Sequence, residues 1–166
     1  VSSGVIQIQP FGVAIGSSTG GMLETESYYR ARLAQEPPRA LRKRLAAATV
    51  AAPTDLVAAV LGTRGPRLSP STACSSGAIA LAMAASWIRA GRIDVAIAGG
   101  SDALARMTYT GFHALQALSS EPCRPFDRER RGLSLGEGAG IVILESEAHA
   151  RARGAREVPV GRLLRD

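Results

Sequence analysis

Residues 71–77 (STACSSG) place a cysteine, Cys74, between an extended segment and a long apolar run. The incoming residues 65–70 contain two prolines, and proline disfavours helix in itself and in the residue before it. After the cysteine, residues 77–90 fit one helix that ends at Gly91, because glycine is favoured at the C′ position. The pattern therefore predicts a strand-to-helix elbow with Cys74 in the first turn of the helix.

This position makes Cys74 the candidate nucleophile. Free backbone N–H groups and the positive dipole end at a helix N-terminus favour a thiolate and an oxyanion, as in the nucleophile elbow of G-x-S-x-G hydrolases. The alternative is a buried, inert cysteine in an apolar core. We expect Cys123 to be an inert loop or packing residue. The chain shows no Cys or His spacing typical of a metal site, so we expect no metal and a reducing compartment.

Strand and helix patterns alternate along the chain, which predicts the α/β fold class. Two continuously apolar strands, 93–98 (bounded by Gly99 and Gly100) and 140–145, should be buried on both faces. The helix at 77–90 is apolar nearly all round, so we expect it to be buried on most sides, with Met83 and Trp87 in the core. The other predicted elements are strands at 11–16, 68–73 and 158–164, helices at 22–33, 54–61 (N-cap Thr54), 110–118 and 147–153 (capped by Ser146), a helix or loop at 41–52, and a loop at 119–132.

Length and charge limit the classes of protein that the chain can represent. One domain is expected for 166 residues, and no apolar stretch reaches the roughly 18 residues of a membrane span. The net charge is +6, and arginine clusters at 30–44, 124–131 and 151–165 carry it. An acidic protein partner and a plain solvated surface both fit these clusters, whereas the scarcity of aromatic residues argues against nucleic acid. We expect a cytoplasmic protein with neither a nucleic-acid nor a membrane partner.

Several blocks of the sequence resemble the β-ketoacyl-acyl-carrier-protein synthases, which are condensing enzymes of the thiolase fold. Residues 71–103 (STACSSGAIALAMAASWIRAGRIDVAIAGGSDA) resemble the family's nucleophile region, and residues 123–155 (CRPFDRERRGLSLGEGAGIVILESEAHARARGA) resemble the stretch that follows it. Residues 111–119 (GFHALQALS) are similar to the pocket-gating segment, and residues 12–21 (GVAIGSSTGG) to the first strand and its Gly-rich turn. The resemblance implies a thiolase-like layered fold, with residues 1–166 forming one incomplete half of the αβαβα architecture.

The resemblance also implies a function in fatty-acid or polyketide biosynthesis. Cys74 would take an acyl group from a phosphopantetheine thioester, and its backbone N–H would provide half of the oxyanion hole. Phe112 matches the acyl-pocket gate. The partner would be an acyl carrier protein, which supplies the phosphopantetheine, so no cofactor of the enzyme's own is expected, and the full enzyme would be a homodimer or heterodimer. The candidate carrier-docking residues are Arg124, Arg128, Arg130 and Arg131.

Three alternatives remain open on the sequence. A thiolase acting on coenzyme A esters shares the fold, although residues 123–140 favour the synthase. A non-catalytic partner of the chain-length-factor kind typically lacks the cysteine that this chain has. A third alternative is an inactive fragment. The family's condensing histidines, lysine and a further Gly-rich loop follow in its C-terminal half, and the family has strands and helices ahead of the segment that opens at Val1, so we expect a domain truncated at both ends. Such a fragment would be inactive in condensation by itself.

The remaining polar candidates carry weaker signals. His113 follows the gate position but does not match a family histidine, and His149 is expected to be solvated. Glu137 lies in the stretch GEGAG, either close to the active site or as an ordinary turn carboxylate. The glycines at 136–140 predict a tight turn rather than a phosphate loop, because no Lys-Ser/Thr pair follows them.

Overall fold

A four-stranded sheet organises the computed structural model, which describes residues 10–155. The strands are β1 (Gly12–Gly16), β2 (Arg67–Leu68), β3 (Val95–Asp102) and β4 (Gly138–Glu145), and the helices are α1 (Met22–Leu33), α2 (Pro38–Ala46), α3 (Ala52–Val60), α4 (Ser76–Arg89), α5 (Arg106–Ala114) and α6 (Glu147–Ala152). The strand order is β2-β1-β3-β4. β1 pairs in parallel with β2 and β3, and β4 is antiparallel to β3. The predicted α/β class is confirmed, and the strand predicted at 158–164 lies outside the described residues.

β1 is the buried centre of the sheet, and all five of its residues are buried. Side chains alternate between the two faces of a strand, and the two faces of β1 accordingly face different helices. Ala14 contributes to a cluster with the α4 residues Ala80 and Ala84. Val13 and Ile15 instead contribute to a cluster with Ala58 of α3. The sheet is therefore covered by α4 on one side of β1 and by α3 on the other.

α4 buries one stripe of its surface rather than most of its sides. Ala80, Ala84 and Trp87 recur at helical spacing and are buried with the alanines of β1 and β3. Ile79 and Met83 lie on another side and are 39% and 38% exposed. The prediction for Trp87 is confirmed and that for Met83 is wrong. Apolar composition marks the whole helix surface as suitable for burial, but the sheet covers a single face of it.

The first turn of α4 rests directly on glycines of the sheet. A Cβ on Gly16, the last residue of β1, would lie 2.1 Å from the carbonyl oxygen of Ser76. A Cβ on Gly100 of β3 would lie 3.2 Å from the Cα of Gly77. The absence of side chains at these positions lets the helix backbone approach both strands.

The C-terminus of α4 ends as the sequence predicts. Gly91 follows the C-cap residue Ala90 with φ of 65°. Its N–H donates to the carbonyl of Ile88, and the N–H of Arg92 donates to the carbonyl of Trp87, each at 3.0 Å. These two bonds form a Schellman motif, which satisfies carbonyl groups that have no partner within the helix.

The two apolar strands differ from their predicted bounds and burial. β3 continues past Gly99 and Gly100 to Asp102, because β4 pairs with it along its whole length. A Cβ on Gly99 would lie 2.0 Å from the carbonyl oxygen of Gly140, so the glycine serves a close strand approach rather than an end. β4 is not buried on both faces, and Ile143 is 71% exposed. β4 is an edge strand of the described sheet, and its apolar residues lack cover within residues 10–155.

Three helix starts also differ from the expectations. α5 lies four residues earlier than predicted and is followed by Gln116 with φ of 55°. α3 begins at Ala52, so Thr54 lies inside the helix, where its hydroxyl is buried, and is not the N-cap. A helix, α2, occupies the first part of the ambiguous segment 41–52, but it begins earlier, with Pro38 as its first residue, a position that proline favours. The cap at Ser146 is confirmed, because its Oγ accepts the N–H of His149 at 3.3 Å.

None of the helices within residues 10–155 is long and apolar enough to cross a bilayer.

The glycine contact under α4 leads to a stability prediction. Gly16→Ala should lower the free energy of unfolding by about 1–3 kcal/mol, because the added methyl group must push α4 off the sheet. Gly111→Ala is the control, since this glycine lies within α5 and a Cβ there meets no atom within 4 Å. That change should stabilise the protein by about 0.5–1 kcal/mol. Denaturant unfolding of both variants measures the difference, and equal effects would contradict the proposed contact.

Candidate active site

Cys74 lies at the elbow that the sequence predicts. It is the middle residue of the 3₁₀ turn Ala73–Ser75, which leads directly into α4, and it is exposed. Ala73 has φ of 55°, in the left-handed region that residues with a Cβ rarely adopt. Such backbone strain costs about 1–3 kcal/mol and is concentrated at functional sites. The strained turn presents Cys74 to solvent at the N-terminus of a 14-residue helix.

Serine hydroxyls hold the elbow in this conformation. The Oγ of Ser76, which is buried, accepts the N–H of Thr72 at 2.9 Å and donates to the carbonyl of Ala73 at 2.6 Å. The Oγ of Ser75 donates to the carbonyl of Thr72 at 2.8 Å. These bonds connect the residues before Cys74 to those after it, so the turn is stabilised on both sides of the thiol.

The segment that enters the elbow is fixed from β1 and α3. The backbone N–H of Ser17 donates to the carbonyl of Pro70 at 3.1 Å. The hydroxyl of Ser69 donates to Thr54 Oγ1 at 2.6 Å, and Thr54 in turn donates to the carbonyl of Ile15 at 3.3 Å. The buried hydroxyl of Thr54 therefore joins α3, β1 and the approach to Cys74.

Asp102 is a site residue that the sequence analysis missed. One oxygen of its carboxylate, Oδ1, accepts hydrogen bonds from the turn that follows β1: from the hydroxyls of Ser17 at 2.8 Å and Thr19 at 2.9 Å, and from the N–H groups of Ser18 and Thr19, both at 2.7 Å. Burial raises the pKa of Asp102, but these hydrogen bonds outweigh that effect and hold the pKa below its usual value. The only sign of this role in the sequence is that Asp102 is a single acidic residue at the end of an apolar strand.

Glu137 has a defined contact in the structure. Its Oε2 accepts the backbone N–H of Leu104 at 3.0 Å. This bond connects the loop after β3 to the loop before β4. Glu137 is therefore not an isolated turn carboxylate. The prediction of a tight turn at 136–140 is wrong for Gly138 and Gly140, because both belong to β4.

Phe112 and His113 lie next to each other on α5, and α5 contacts α1. Phe112 is half-buried, whereas His113 is exposed. The His113 ring stacks on Tyr109 with 6.2 Å between the ring centroids. Within residues 10–155 no hydrogen bond or ring contact joins either residue to the elbow of Cys74, so the described part of the chain does not assemble a Cys-His pair.

His149 forms a cluster with Glu145 and Arg153 instead of being fully solvated as expected. Its Nδ1 contacts the carboxylate of Glu145, and Arg153 donates two hydrogen bonds of 2.7 Å to the same group. The bond from Arg153 and then that from His149 lower the pKa of Glu145 to about 2. The cluster connects the end of α6 to the end of β4.

Among the described residues no group of three His, Cys, Asp or Glu side chains could hold a metal ion.

The candidate docking arginines lie on an exposed loop between α5 and β4. Arg124 pairs with Glu121 at 2.7 Å, and Arg130 donates to the carbonyl of Asp127 at 3.0 Å. Arg128 and Arg131 are exposed on the same loop, as is Cys123. Cys123 is thus a loop residue and does not pack in the core. The loop presents several guanidinium groups to solvent on one short segment.

Comparison with known proteins identifies the family. Residues 3–150 match the family profile described as "Beta-ketoacyl synthase, N-terminal domain". The chain belongs to the β-ketoacyl synthase family. Both the resemblance and the thiolase-like layered α/β fold are thereby confirmed, with the match on the N-terminal part of the family's proteins.

Individual relatives cover most of the chain. Nodulation protein E of Rhizobium meliloti (strain 1021) is 42% identical over 146 residues, and 3-oxoacyl-acyl-carrier-protein synthase 2 of Vibrio cholerae is 39% identical over 156 residues. Each match covers 87% of this chain but 36% and 37% of the respective relative. One chain of a solved complex also matches, with a TM-score of 0.78 and 33% identity, over 89% of this chain and 40% of that one. The complex is described as "type II PKS acyl-carrier protein in complex with its ketosynthase bound to the hexaketide". The chain thus spans just over a third of the length of these relatives.

Proposed function

We propose that this protein is part of a condensing enzyme of fatty-acid or polyketide biosynthesis, with Cys74 as the residue that carries the acyl group. The observation that carries the proposal is the exposed thiol on a strained elbow at the N-terminus of α4. Membership of the β-ketoacyl synthase family supports the same assignment.

The geometry suits transfer of an acyl group between two sulfur atoms. The thiolate of Cys74 attacks the carbonyl carbon of an acyl thioester, and the carbonyl oxygen becomes an oxyanion. The carbon–sulfur bond of the incoming thioester then breaks, the phosphopantetheine thiolate leaves, and the acyl group remains on Cys74. Neither step needs an oxidant or a metal. Condensation follows when a malonyl thioester loses CO₂ and the resulting carbanion attacks the carbonyl carbon of the acyl group on Cys74. The bond between that carbon and the Cys74 sulfur then breaks, and the thiolate leaves.

We propose that the backbone around Cys74 stabilises the oxyanion. N–H groups in the first turn of a helix have no carbonyl partner within the helix, and the helix dipole adds positive potential there. We infer that the N–H of Cys74 supplies one of the donors of the oxyanion hole. One such donor contributes about 10²–10³ in rate.

The synthase explains the chain better than the alternatives do. Its relatives include 3-oxoacyl-acyl-carrier-protein synthase 2, whereas a thiolase would act on coenzyme A esters. A non-catalytic partner would have no use for an exposed cysteine on a strained elbow. The acyl carrier protein is accordingly the proposed partner, and its phosphopantetheine arm brings the substrate.

The first functional prediction concerns the acylation site. Cys74→Ala should abolish the acyl adduct that intact-mass spectrometry detects after incubation with an acyl carrier protein that carries an acyl chain. Cys123→Ala is the matched control, because Cys123 is also an exposed cysteine but lies on a loop. It should retain the adduct in full. An adduct that persists in Cys74→Ala would refute the assignment.

Phe112 is proposed as the gate of the acyl pocket, since it is half-buried on α5 and matches the gating segment. Phe112→Ala should change the relative rates with short and long acyl chains, because the smaller side chain admits a bulkier substrate. The measurement is the ratio of kcat/KM for a short-chain and a long-chain donor. Met107→Ala is the control, since Met107 lies on the same helix but outside the gating segment and is 64% exposed. A large loss of stability with an unchanged ratio would make Phe112 a packing residue.

The arginine loop is proposed as the docking surface for the acidic carrier protein, through Arg124, Arg128, Arg130 and Arg131. The double variant Arg128→Glu/Arg131→Glu should weaken carrier binding about tenfold and flatten its dependence on salt, because two attractive charges become repulsive. Arg92→Glu is the control, since Arg92 is exposed beyond the C-terminus of α4, opposite the end that carries Cys74. The measurement is the affinity for the carrier protein, titrated at two salt concentrations. If the double variant and Arg92→Glu lose equal affinity, the arginine loop is a plain charged surface and not the docking site.

A further inference from the structure

We propose that Asp102 is a positioning residue that fixes the elbow of Cys74 by joining the turn after β1 to the end of β3. The inference rests on the proposed function, in which Cys74 carries the acyl group. Asp102 touches neither the thiol nor a substrate, and it acts through the backbone that supports the elbow.

The first step of the argument is the number and direction of its hydrogen bonds. Asp102 is the last residue of β3, and its Oδ1 accepts four hydrogen bonds from residues 17–19. Thr19 strengthens the same junction, because its hydroxyl accepts the N–H of Ala103 at 3.0 Å. The side chain of Ser17 is fully buried and also accepts the N–H of Gly20 at 2.6 Å. The turn is thus folded around the carboxylate.

The second step is that this turn touches the elbow. The N–H of Ser17 donates to Pro70 in the segment that enters the elbow, at 3.1 Å. Gly16, next to Ser17, lies against the carbonyl of Ser76 in the first turn of α4. Gly100, two residues before Asp102, lies against Gly77. Residues on both sides of Cys74 therefore rest on the two strand ends that Asp102 holds together.

The third step is the charge. The hydrogen bonds keep the pKa of Asp102 below its usual value, so the group is a carboxylate at neutral pH. An ionised acceptor forms stronger hydrogen bonds than a neutral one. Replacement by asparagine keeps the shape and a carbonyl oxygen in place but removes the charge, which weakens the junction without leaving an empty space.

The experiment compares Asp102→Asn with Asp94→Asn in the purified protein. Asp94 is a matched control because it immediately precedes the same strand at its other end and accepts the hydroxyl of Ser146 at 2.7 Å. Misplacement of a reacting group by about 1 Å can cost about 10²-fold in rate. Asp102→Asn should therefore lower kcat for acylation of Cys74 by roughly 10- to 100-fold with KM changed less than about twofold. Asp94→Asn should leave both constants unchanged.

Hydrogen exchange provides a second measurement that does not depend on the proposed function. The amides of residues 72–77 should exchange faster in Asp102→Asn than in Asp94→Asn, and Ser17→Ala should accelerate the same amides. The inference is overturned if exchange in this segment is equal in the two aspartate variants, or if kcat falls equally in both. Absence of acylation on Cys74 in the unmodified protein would instead refute the proposed function, while the exchange result would still decide the role of Asp102.

Discussion

The contact between the first turn of α4 and the ends of β1 and β3 is the constraint on which the rest of the structure depends. It brings helix backbone to within van der Waals distance of strand backbone, at Gly16 under Ser76 and at Gly100 beside Gly77. Any side chain at these positions would separate the layers. Because the chain turns into α4 at this point, the same contact fixes where the elbow projects. In the neighbouring core, the small side chains of Ala14 and Ala80 add little volume between the sheet and the helix.

The predictable part of the fold is the part that local chemistry determines. The elbow and both ends of α4 follow from prolines before the turn and from Gly91 after the helix, since these residues restrict or release the backbone wherever they occur. The cap at Ser146 belongs to the same class. The predicted end of β3 at residue 98 was wrong. Gly99 and Gly100 locally indicate a break, but in the structure they allow β4 to pair closely with β3.

Burial and the junction at Asp102 depend on contacts that the sequence does not display. Ile143 and Met83 have apolar side chains typical of core residues, yet they are exposed because no element in residues 10–155 covers them. Asp102 and Ser17 are 85 positions apart along the chain. No periodicity links an acidic residue after one strand to the turn after another, so the junction becomes visible when the two strands are paired. The candidate nucleophile was predictable, whereas its support was not.

This separation between the thiol and its support has a physical reason. A nucleophile must be accessible, so groups that bind it tightly would compete with the substrate. The structure places the stabilising bonds on the neighbours of Cys74: Ser76 binds Thr72 and Ala73, while Asp102 holds the strand ends beneath. The strain at Ala73 is thus maintained by bonds that do not involve the thiol. An alanine there keeps the Cβ clash of the left-handed conformation as small as a chiral residue allows, and the thiol of Cys74 next to it stays exposed.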